Sequence, residues 1–154
     1  MHAVYAGSFD PPTIGHLDII QRAAPRFQHL TVAIGINPAK TPRHALSLRL
    51  EWLKNATAHL PNVSVATYQG LVVDFCTQIH ANTLVRGIRH AADFDYEQQM
   101  ALCNRELNPH IETIFFPANP NLAHISSSFV RELETFGRDI TPYVPGIPQR
   151  TNST

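Results

Sequence analysis

The segment at residues 7–16, GSFDPPTIGH, holds residue types that bind a phosphate group. Gly7 lets the backbone approach a ligand closely, and Thr13 is suited to cap a helix whose first turn holds His16. A helix N-terminus attracts anions because its first N–H groups are free and its dipole is positive there. The segment lacks the lysine of a P-loop, which excludes that motif. A solvent-facing histidine is the alternative, but a position directly after the first predicted strand favours phosphate binding.

Three cationic side chains follow other predicted strands. Lys40 lies in the loop at residues 37–42 after the second strand, and Arg86 and Arg89 lie at the end of the fourth. Each arginine offers a rigid fork of N–H donors that suits phosphate oxygens. For Lys40 the alternative is a solvated side chain. For the arginines it is a salt bridge to one of the nearby carboxylates, Asp93, Asp95 or Glu97.

Three consecutive serines, at residues 126–128, open the last predicted helix. A helix N-cap needs one serine, so the others are candidates to donate hydroxyl groups to phosphate oxygens. The nine histidines and two cysteines show no H-x-x-x-H or C-x-x-C spacing, so no metal site made of protein ligands is predicted. No G-x-S-x-G or Cys–His nucleophile is evident either. The combined set binds polyphosphate without supplying a nucleophile.

Short apolar runs alternate with longer segments of helical period. The predicted strands cover residues 2–6, 30–36, 63–68, 83–86 and 113–116. The predicted helices cover residues 14–27, 46–60, 71–80, 91–107 and about 126–136. Such alternation predicts an α/β fold of the Rossmann-like, doubly wound type, with a five-stranded parallel sheet and helices on both faces. Ligands of such sheets bind beyond the carboxyl ends of the strands, where the candidate residues lie.

The composition fits one domain. The chain has 154 residues, 44% of them hydrophobic, and a formal net charge of zero, so nucleic acid and anionic membrane are not expected partners. No basic and apolar leader opens the sequence, and the longest apolar stretch has the length of a strand, so a cytoplasmic location is expected. Residues 1–137 are predicted to form the Rossmann-like domain, and residues 138–154 a proline-rich tail that packs on it or trails from it.

Together these segments resemble the phosphopantetheine adenylyltransferases of the nucleotidyltransferase superfamily. The resemblance runs from about residue 3 to residue 144. T-x-G-H and ISSS, at residues 125–128, mark the superfamily, whereas GLVVDF at 70–75 and RGIRHAADFDYE at 86–97 mark this family. The resemblance implies transfer of the adenylyl group of ATP to 4′-phosphopantetheine. The products would be dephospho-coenzyme A and pyrophosphate, in the penultimate step of coenzyme A synthesis.

The resemblance also implies roles for individual residues. His16 would bind ATP and stabilise the transition state, and Lys40 and Arg89 would complete the catalytic set. The residues implied for the acceptor are Ser8, Lys40, Val72, Arg86 and Asn104. Those implied for ATP are Ser8, Phe9, His16, Gly87, Ile88, Arg89, Glu97, Leu122, Ala123, His124, Ile125, Ser126, Ser127 and Ser128. Mg²⁺ is expected on the ATP phosphates, the assembly is expected to be a homohexamer built as a dimer of trimers, and coenzyme A is a candidate feedback inhibitor.

The implied reaction fits the residue types. A phosphate monoester has its second pKa near ~6, so it is already a charged nucleophile at neutral pH and needs no general base. The protein then has two tasks, to align the two anions and to neutralise charge on the α-phosphate. Cations and N–H donors can do both. Two alternatives stay open. One is another enzyme of the superfamily, such as a nicotinamide mononucleotide adenylyltransferase or a cytidylyltransferase; the other is a nucleotide-binding sensor without turnover.

Overall fold

The computed structural model describes residues 1–148, in which five strands alternate with five α-helices. The strands are β1 (His2–Gly7), β2 (His29–Ile36), β3 (Val63–Gln69), β4 (Thr83–Ile88) and β5 (Glu112–Pro117). The helices are α1 (Ile14–Ala23), α2 (Leu46–Thr57), α3 (Val72–Gln78), α4 (Ala91–Leu107) and α5 (Ser127–Thr135). No helix of this part of the chain is long and apolar enough to cross a membrane. Residues 149–154 of the predicted tail lie outside the described residues.

All five strands are parallel and lie in the order β3-β2-β1-β4-β5. The predicted doubly wound α/β fold is therefore confirmed. The chain moves outward from β1 to β3, returns to the other side of β1 as β4, and continues outward to β5. Because the connections on the two sides of β1 leave in opposite directions, a crevice opens beyond the carboxyl ends of β1 and β4.

The two faces of the sheet carry separate cores, because side chains of a strand alternate between its faces. Tyr5 of β1 packs with Ile20 of α1 and Leu53 of α2 on one face. Val4 of the same strand packs with Cys76 of α3 on the other face. Helices α1 and α2 therefore cover one face and α3 the opposite one.

Several helices end earlier than their apolar pattern predicts. The first stops at Ala23 and continues as a single 3₁₀ turn, Ala24–Arg26, because Pro25 has no N–H for the α-helical ladder. The third covers only Val72–Gln78, and His80 beyond it has a φ of 57°. Such a left-handed residue ends a helix.

Helix α4 covers the predicted residues, yet it has almost no buried face. Glu97 is its one buried residue. Phe94 contacts the ring of Phe115 in β5, with the ring centroids 5.6 Å apart, which places α4 on the same face as α3. Its exposed apolar side chains are Phe94, Tyr96, Met100, Leu102 and Leu107. A 17-residue helix with this composition is unusual for a surface facing water.

The described part of the tail packs on the domain. Gly137, with a φ of 71°, ends α5, and the N–H of Arg138 then donates to the Leu133 carbonyl at 2.9 Å. The N–H of Ile14 donates to the Tyr143 carbonyl, also at 2.9 Å, and Val144 is buried. Residues 138–148 therefore form a third apolar cluster with α2 and α5.

This packing makes Gly146 a sensitive position. Its φ is 79°, and a Cβ added there would lie 2.0 Å from the Trp52 carbonyl oxygen. We expect Gly146→Ala to lower the free energy of unfolding in urea by about 3 kcal/mol or more, from backbone strain and steric overlap together. Gly137→Ala is the matched control, because φ is also positive but the space is open. It should cost about 1 kcal/mol. Equal losses in the two variants would show that the tail does not pack against α2.

Candidate active site

A cavity of about 560 Å³ lies beyond the carboxyl ends of β1 and β4. The loop after β1, the end of β4, the start of α4 and the N-terminus of α5 form its walls. Twelve of the predicted site residues line it: Ser8, Phe9, His16, Arg86, Gly87, Arg89, Glu97, Leu122, Ile125, Ser126, Ser127 and Ser128. Segments far apart in the sequence thus meet at the place that the strand order indicates.

Six predicted residues do not line this cavity: Lys40, Val72, Ile88, Ala123, His124 and Asn104. Lys40 is exposed in the loop between β2 and α2, and Val72 is the first residue of α3. Asn104 is partly buried on α4. Most residues predicted for ATP therefore cluster, whereas three of those predicted for the acceptor lie on neighbouring elements. Their roles stay predictions.

Thr13 and His16 form a reciprocal cap at the start of α1. The His16 backbone N–H donates to Thr13 Oγ1 at 3.3 Å, and the Thr13 backbone N–H donates to His16 Nδ1 at 2.9 Å. Because Nδ1 accepts, the proton of the neutral imidazole lies on Nε2. His16 therefore presents an N–H donor from the wall of the cavity.

The environment keeps this imidazole neutral. Burial, together with the positive charges of Arg89 and Arg86, lowers the pKa of His16 to about 4. The rings of Phe9 and Tyr5 lie beside it, with centroids 4.9 Å and 6.3 Å from that of His16. Cap and rings together fix the direction of the Nε2–H bond.

Arg86 is held by Glu97 of α4. The guanidinium donates to both carboxylate oxygens, Nε at 2.8 Å and Nη2 at 2.6 Å, and Nη1 donates to the Ala6 carbonyl at 2.6 Å. Burial alone would lower the pKa of Arg86, but the bonds to Glu97 and its charge raise the pKa above the ordinary value. Of the five N–H groups of a guanidinium, two remain for a ligand. The salt bridge that the sequence analysis gave as an alternative for Arg86 is therefore present. The two remaining N–H groups can still bind an anion.

Arg89 is more exposed than Arg86. Its Nε lies 3.9 Å from Asp93 Oδ2, and 40% of its side chain is accessible. Asp93 instead accepts the backbone N–H groups of Arg89 and His90, both at 3.1 Å. Arg89 can therefore turn toward a phosphate without breaking a close ion pair.

The three serines differ in what they can offer. The Ser127 hydroxyl donates to the Pro11 carbonyl at 2.7 Å, so it is engaged within the protein. Ser126 Oγ accepts the N–H of Phe129, and Ser128 Oγ accepts from Arg131. These two serines keep their O–H donors, and the first N–H groups of α5 have no partner within the helix. The N-terminus of α5 can therefore receive phosphate oxygens.

Sequence reasoning missed Arg131, which lines the cavity. Its Nη1 donates to the Asp10 carbonyl at 2.6 Å and its Nη2 to Ser128 Oγ at 3.1 Å. A cation one turn after the three serines was a usable signal, since it must lie beside the first turn of the helix. Tyr5 and Tyr96, also in the wall, carried no such signal.

The acidic side chains of the wall do not form a metal site. Glu97 is paired with Arg86, and Asp93 is bonded to two backbone N–H groups. Within residues 1–148, no group of three or more His, Cys, Asp or Glu side chains could hold a metal ion. The cavity thus offers cations, hydroxyl groups, N–H donors and a neutral imidazole, which suit a polyphosphate.

The fold and this site define a class of nucleotidyltransferase. The cytidylyltransferase-like family model matches residues 4–133, and the chain belongs to that family. A crystal structure from Vibrio parahaemolyticus, of a protein assigned as a nicotinate-nucleotide adenylyltransferase, aligns with a TM-score of 0.69. It covers 94% of this chain and 86% of that one at 19% identity, so it shows a shared fold.

Curated relatives identify the family within this class. The chain is 50% identical over 148 residues to the phosphopantetheine adenylyltransferase of Symbiobacterium thermophilum, covering 96% of this chain and 91% of that protein. It is 46% identical over 145 residues to that of Caldanaerobacter subterraneus subsp. tengcongensis, covering 94% and 91%. The chain belongs to the phosphopantetheine adenylyltransferase family.

The geometry of His16 leads to an NMR prediction. In the ligand-free protein we expect long-range ¹⁵N–¹H correlations to show the proton on Nε2, and the ring to titrate near pH 4. Arg89→Met should move this midpoint upward, because it removes a positive charge that lowers the pKa. The signal should be absent from His16→Asn, which assigns it to His16. An Nδ1–H tautomer, or a midpoint near the unperturbed value of about 6.5, would contradict the cap geometry.

Proposed function

We propose that the chain transfers the adenylyl group of ATP to 4′-phosphopantetheine, giving dephospho-coenzyme A and pyrophosphate. The observation that carries this proposal is the cavity at the ends of β1 and β4, where phosphate-binding groups from three loops meet a neutral His16. Membership in the phosphopantetheine adenylyltransferase family supports the choice of acceptor. The reaction belongs to coenzyme A synthesis, and we place the enzyme in the cytoplasm.

The proposed step is an in-line displacement. An oxygen of the acceptor's 4′-phosphate bonds to the α-phosphorus of ATP while the bond to the bridging oxygen of the β-phosphate breaks, and pyrophosphate leaves with that electron pair. The nucleophile is already an anion, so no base is needed. Because one phosphoanhydride bond replaces another, the reaction is reversible.

His16 and the cations act on the charge of the transition state. The Nε2–H of His16 donates to an oxygen of the α-phosphate, and a neutral ring can do this throughout the physiological pH range. Arg89 turns toward the same phosphate, and Ser126 and Ser128 with the N-terminus of α5 hold the β- and γ-phosphates. These donors are placed before the reaction begins, which is what makes such stabilisation effective.

The acceptor side is proposed from residues around Arg86. Arg86 lines the cavity from β4 and has two N–H groups left for a ligand. The loop that carries Lys40 follows β2, two strands away in the sheet. Closure of that loop would bring Lys40 to the acceptor phosphate. Val72 and Asn104, on α3 and α4, would supply an apolar contact and an amide partner for the pantetheine arm.

Mg²⁺ enters as part of the substrate. Both acidic side chains of the cavity wall are already bonded, so the ion would be held by oxygens of the ATP phosphates. It supplies further neutralisation of phosphate charge. Coenzyme A is proposed as an inhibitor because it shares the skeleton of the product.

Helix α4 supports an oligomer. It packs through Phe94 against Phe115 of β5, an edge strand of the sheet, and its other large apolar side chains stay exposed. Contact with other copies would remove this surface from water. We propose the homohexamer of two trimers, with α4 in an interface.

An acceptor assay tests the function. The protein is incubated with ATP, Mg²⁺ and one acceptor, and pyrophosphate is measured. We expect release with 4′-phosphopantetheine far above that with nicotinamide mononucleotide, and none with pantetheine, which lacks the nucleophilic phosphate. Equal turnover with the nicotinamide nucleotide would overturn the acceptor assignment, and no turnover with any acceptor would favour a sensor. As a control, His16→Ala should lower kcat by roughly 10²–10³ while ATP binding changes far less.

Light scattering after size exclusion tests the assembly. Leu102→Glu places a charge at a position that is 56% exposed in the single chain, so it should fold normally but reduce the oligomer to smaller species. Leu48→Glu on α2 is the control, because this leucine is also exposed. If both variants keep the wild-type mass, α4 does not form an interface.

A further inference from the structure

One face of α5 is bonded along its length to the loop after β1. Ser127, Arg131 and Glu134 are spaced four and three residues apart, so they lie on the same side of the helix. Ser127 donates to the Pro11 carbonyl, and Arg131 donates to the Asp10 carbonyl. Glu134 lies one turn further along the same side of α5, and it contacts a third segment of the chain.

The third segment is Arg43 and His44, at the end of the loop that carries Lys40. His44 Nδ1 lies 2.9 Å from Asp10 Oδ1, and His44 Nε2 lies 3.1 Å from Glu134 Oε1. Arg43 contacts the same two carboxylates, with its backbone N–H at 2.7 Å and its Nε at 3.3 Å. Each nitrogen of the His44 ring faces one of the two carboxylates. His44 therefore bridges two segments that are more than a hundred residues apart in the sequence.

The bridge is buried on the side of Asp10 and His44. Asp10 and His44 are each 8% exposed, and the His44 ring packs edge-on against Trp52, with centroids 5.3 Å apart. Burial would raise the pKa of Asp10, but the N–H of Arg43 and the ring and N–H of His44 together hold the pKa below its ordinary value. The Asp10 carboxylate is thus ionised and fully engaged.

Arg49 of α2 extends the bridge to the cavity. This buried guanidinium donates from Nε to the His44 carbonyl at 3.1 Å and from Nη1 to the Ser8 carbonyl at 2.8 Å. The charged groups around His44 are therefore Asp10 from the β1 loop, Glu134 from α5, Arg43 from its own loop, and Arg49 from α2.

A purely stabilising role fits this cluster poorly. Buried ionic groups are often no more stabilising than apolar residues of similar size, and the ring already rests on Trp52, where an apolar side chain would pack well. The hydrogen bonds of these polar side chains require a specific geometry, which apolar contacts do not. These bonds fix the β1 loop, the loop of Lys40 and α5 relative to one another.

We propose that His44 is a positioning residue for ATP. Through Asp10 and Glu134 it joins the loop of Ser8 to the last turn of α5. It thereby sets the orientation of the whole helix, whose N-terminus is proposed to bind the triphosphate. This inference rests on the proposed ATP site but not on the identity of the acceptor. His44 does not line the cavity, so its effect reaches the nucleotide only through these partners.

His44→Phe tests the proposal, because it keeps a flat ring against Trp52 and removes both side-chain hydrogen bonds. The Kd for Mg²⁺–ATP, measured by calorimetry without acceptor, should rise about tenfold, the lower end of losses from removing a supporting partner. Glu134→Ala should shift the Kd in the same direction. Glu134→Gln, whose amide oxygen still accepts from Nε2, should restore most of the affinity. His59→Phe is the matched control, since His59 is exposed and its side chain bonds to Gln21 on the surface, away from the cavity.

Steady-state kinetics and thermal unfolding complete the test. We expect the KM for ATP to rise with the Kd, and the KM for 4′-phosphopantetheine to change less than about twofold, because the affected groups hold the triphosphate. ATP affinity in His44→Phe within about twofold of the wild type would overturn the proposal. An equal loss of affinity for both substrates, together with a lowered Tm, would also overturn the proposal. A Glu134→Gln variant that binds ATP as weakly as Glu134→Ala would do the same. Failure of the acceptor assay alone would not, since the calorimetry needs no acceptor.

Discussion

The loop between β1 and α1 is the segment on which the site is built, and side chains from elsewhere hold its backbone. An irregular loop has carbonyl groups that no strand or helix satisfies, and burying them without partners is costly. Here Ser8, Asp10 and Pro11 each offer a carbonyl, and Arg49, Arg131 and Ser127 each supply the donor. Because those donors lie on α2 and α5, satisfying the loop also brings both helices to the cavity.

The sequence predicted the elements and twelve of the residues that line the cavity, for reasons that are local. Strand and helix positions follow from apolar spacing, and α4 was matched at both ends. Thr13 and His16 are three residues apart, so their cap needed no knowledge of the fold. The rule that ligands bind beyond strand ends then placed residues from β1 and β4 in one cavity.

Partners that are distant along the chain could not be predicted. Arg86 suited both a phosphate and Glu97, and the choice depends on how α4 packs beside β4. The bond between His44 and Glu134 joins residues separated by 90 positions, and no periodicity encodes it. For α4 the apolar spacing predicted the bounds of the helix but not its surroundings, because the single chain leaves most of its large apolar side chains exposed.

The reversal of the strand order at β1 has a consequence for stereochemistry. Helices α1 and α2 cover one face of the sheet, whereas α3 and α4, with Val72 and Asn104, cover the other. The cavity takes its wall from both layers, with His16 of α1 on one side and Glu97 of α4 on the other. In the proposed in-line displacement, the acceptor oxygen and the leaving pyrophosphate lie on opposite sides of the α-phosphorus, so its configuration is inverted. The strand reversal thereby supplies the two walls between which this line of attack is held.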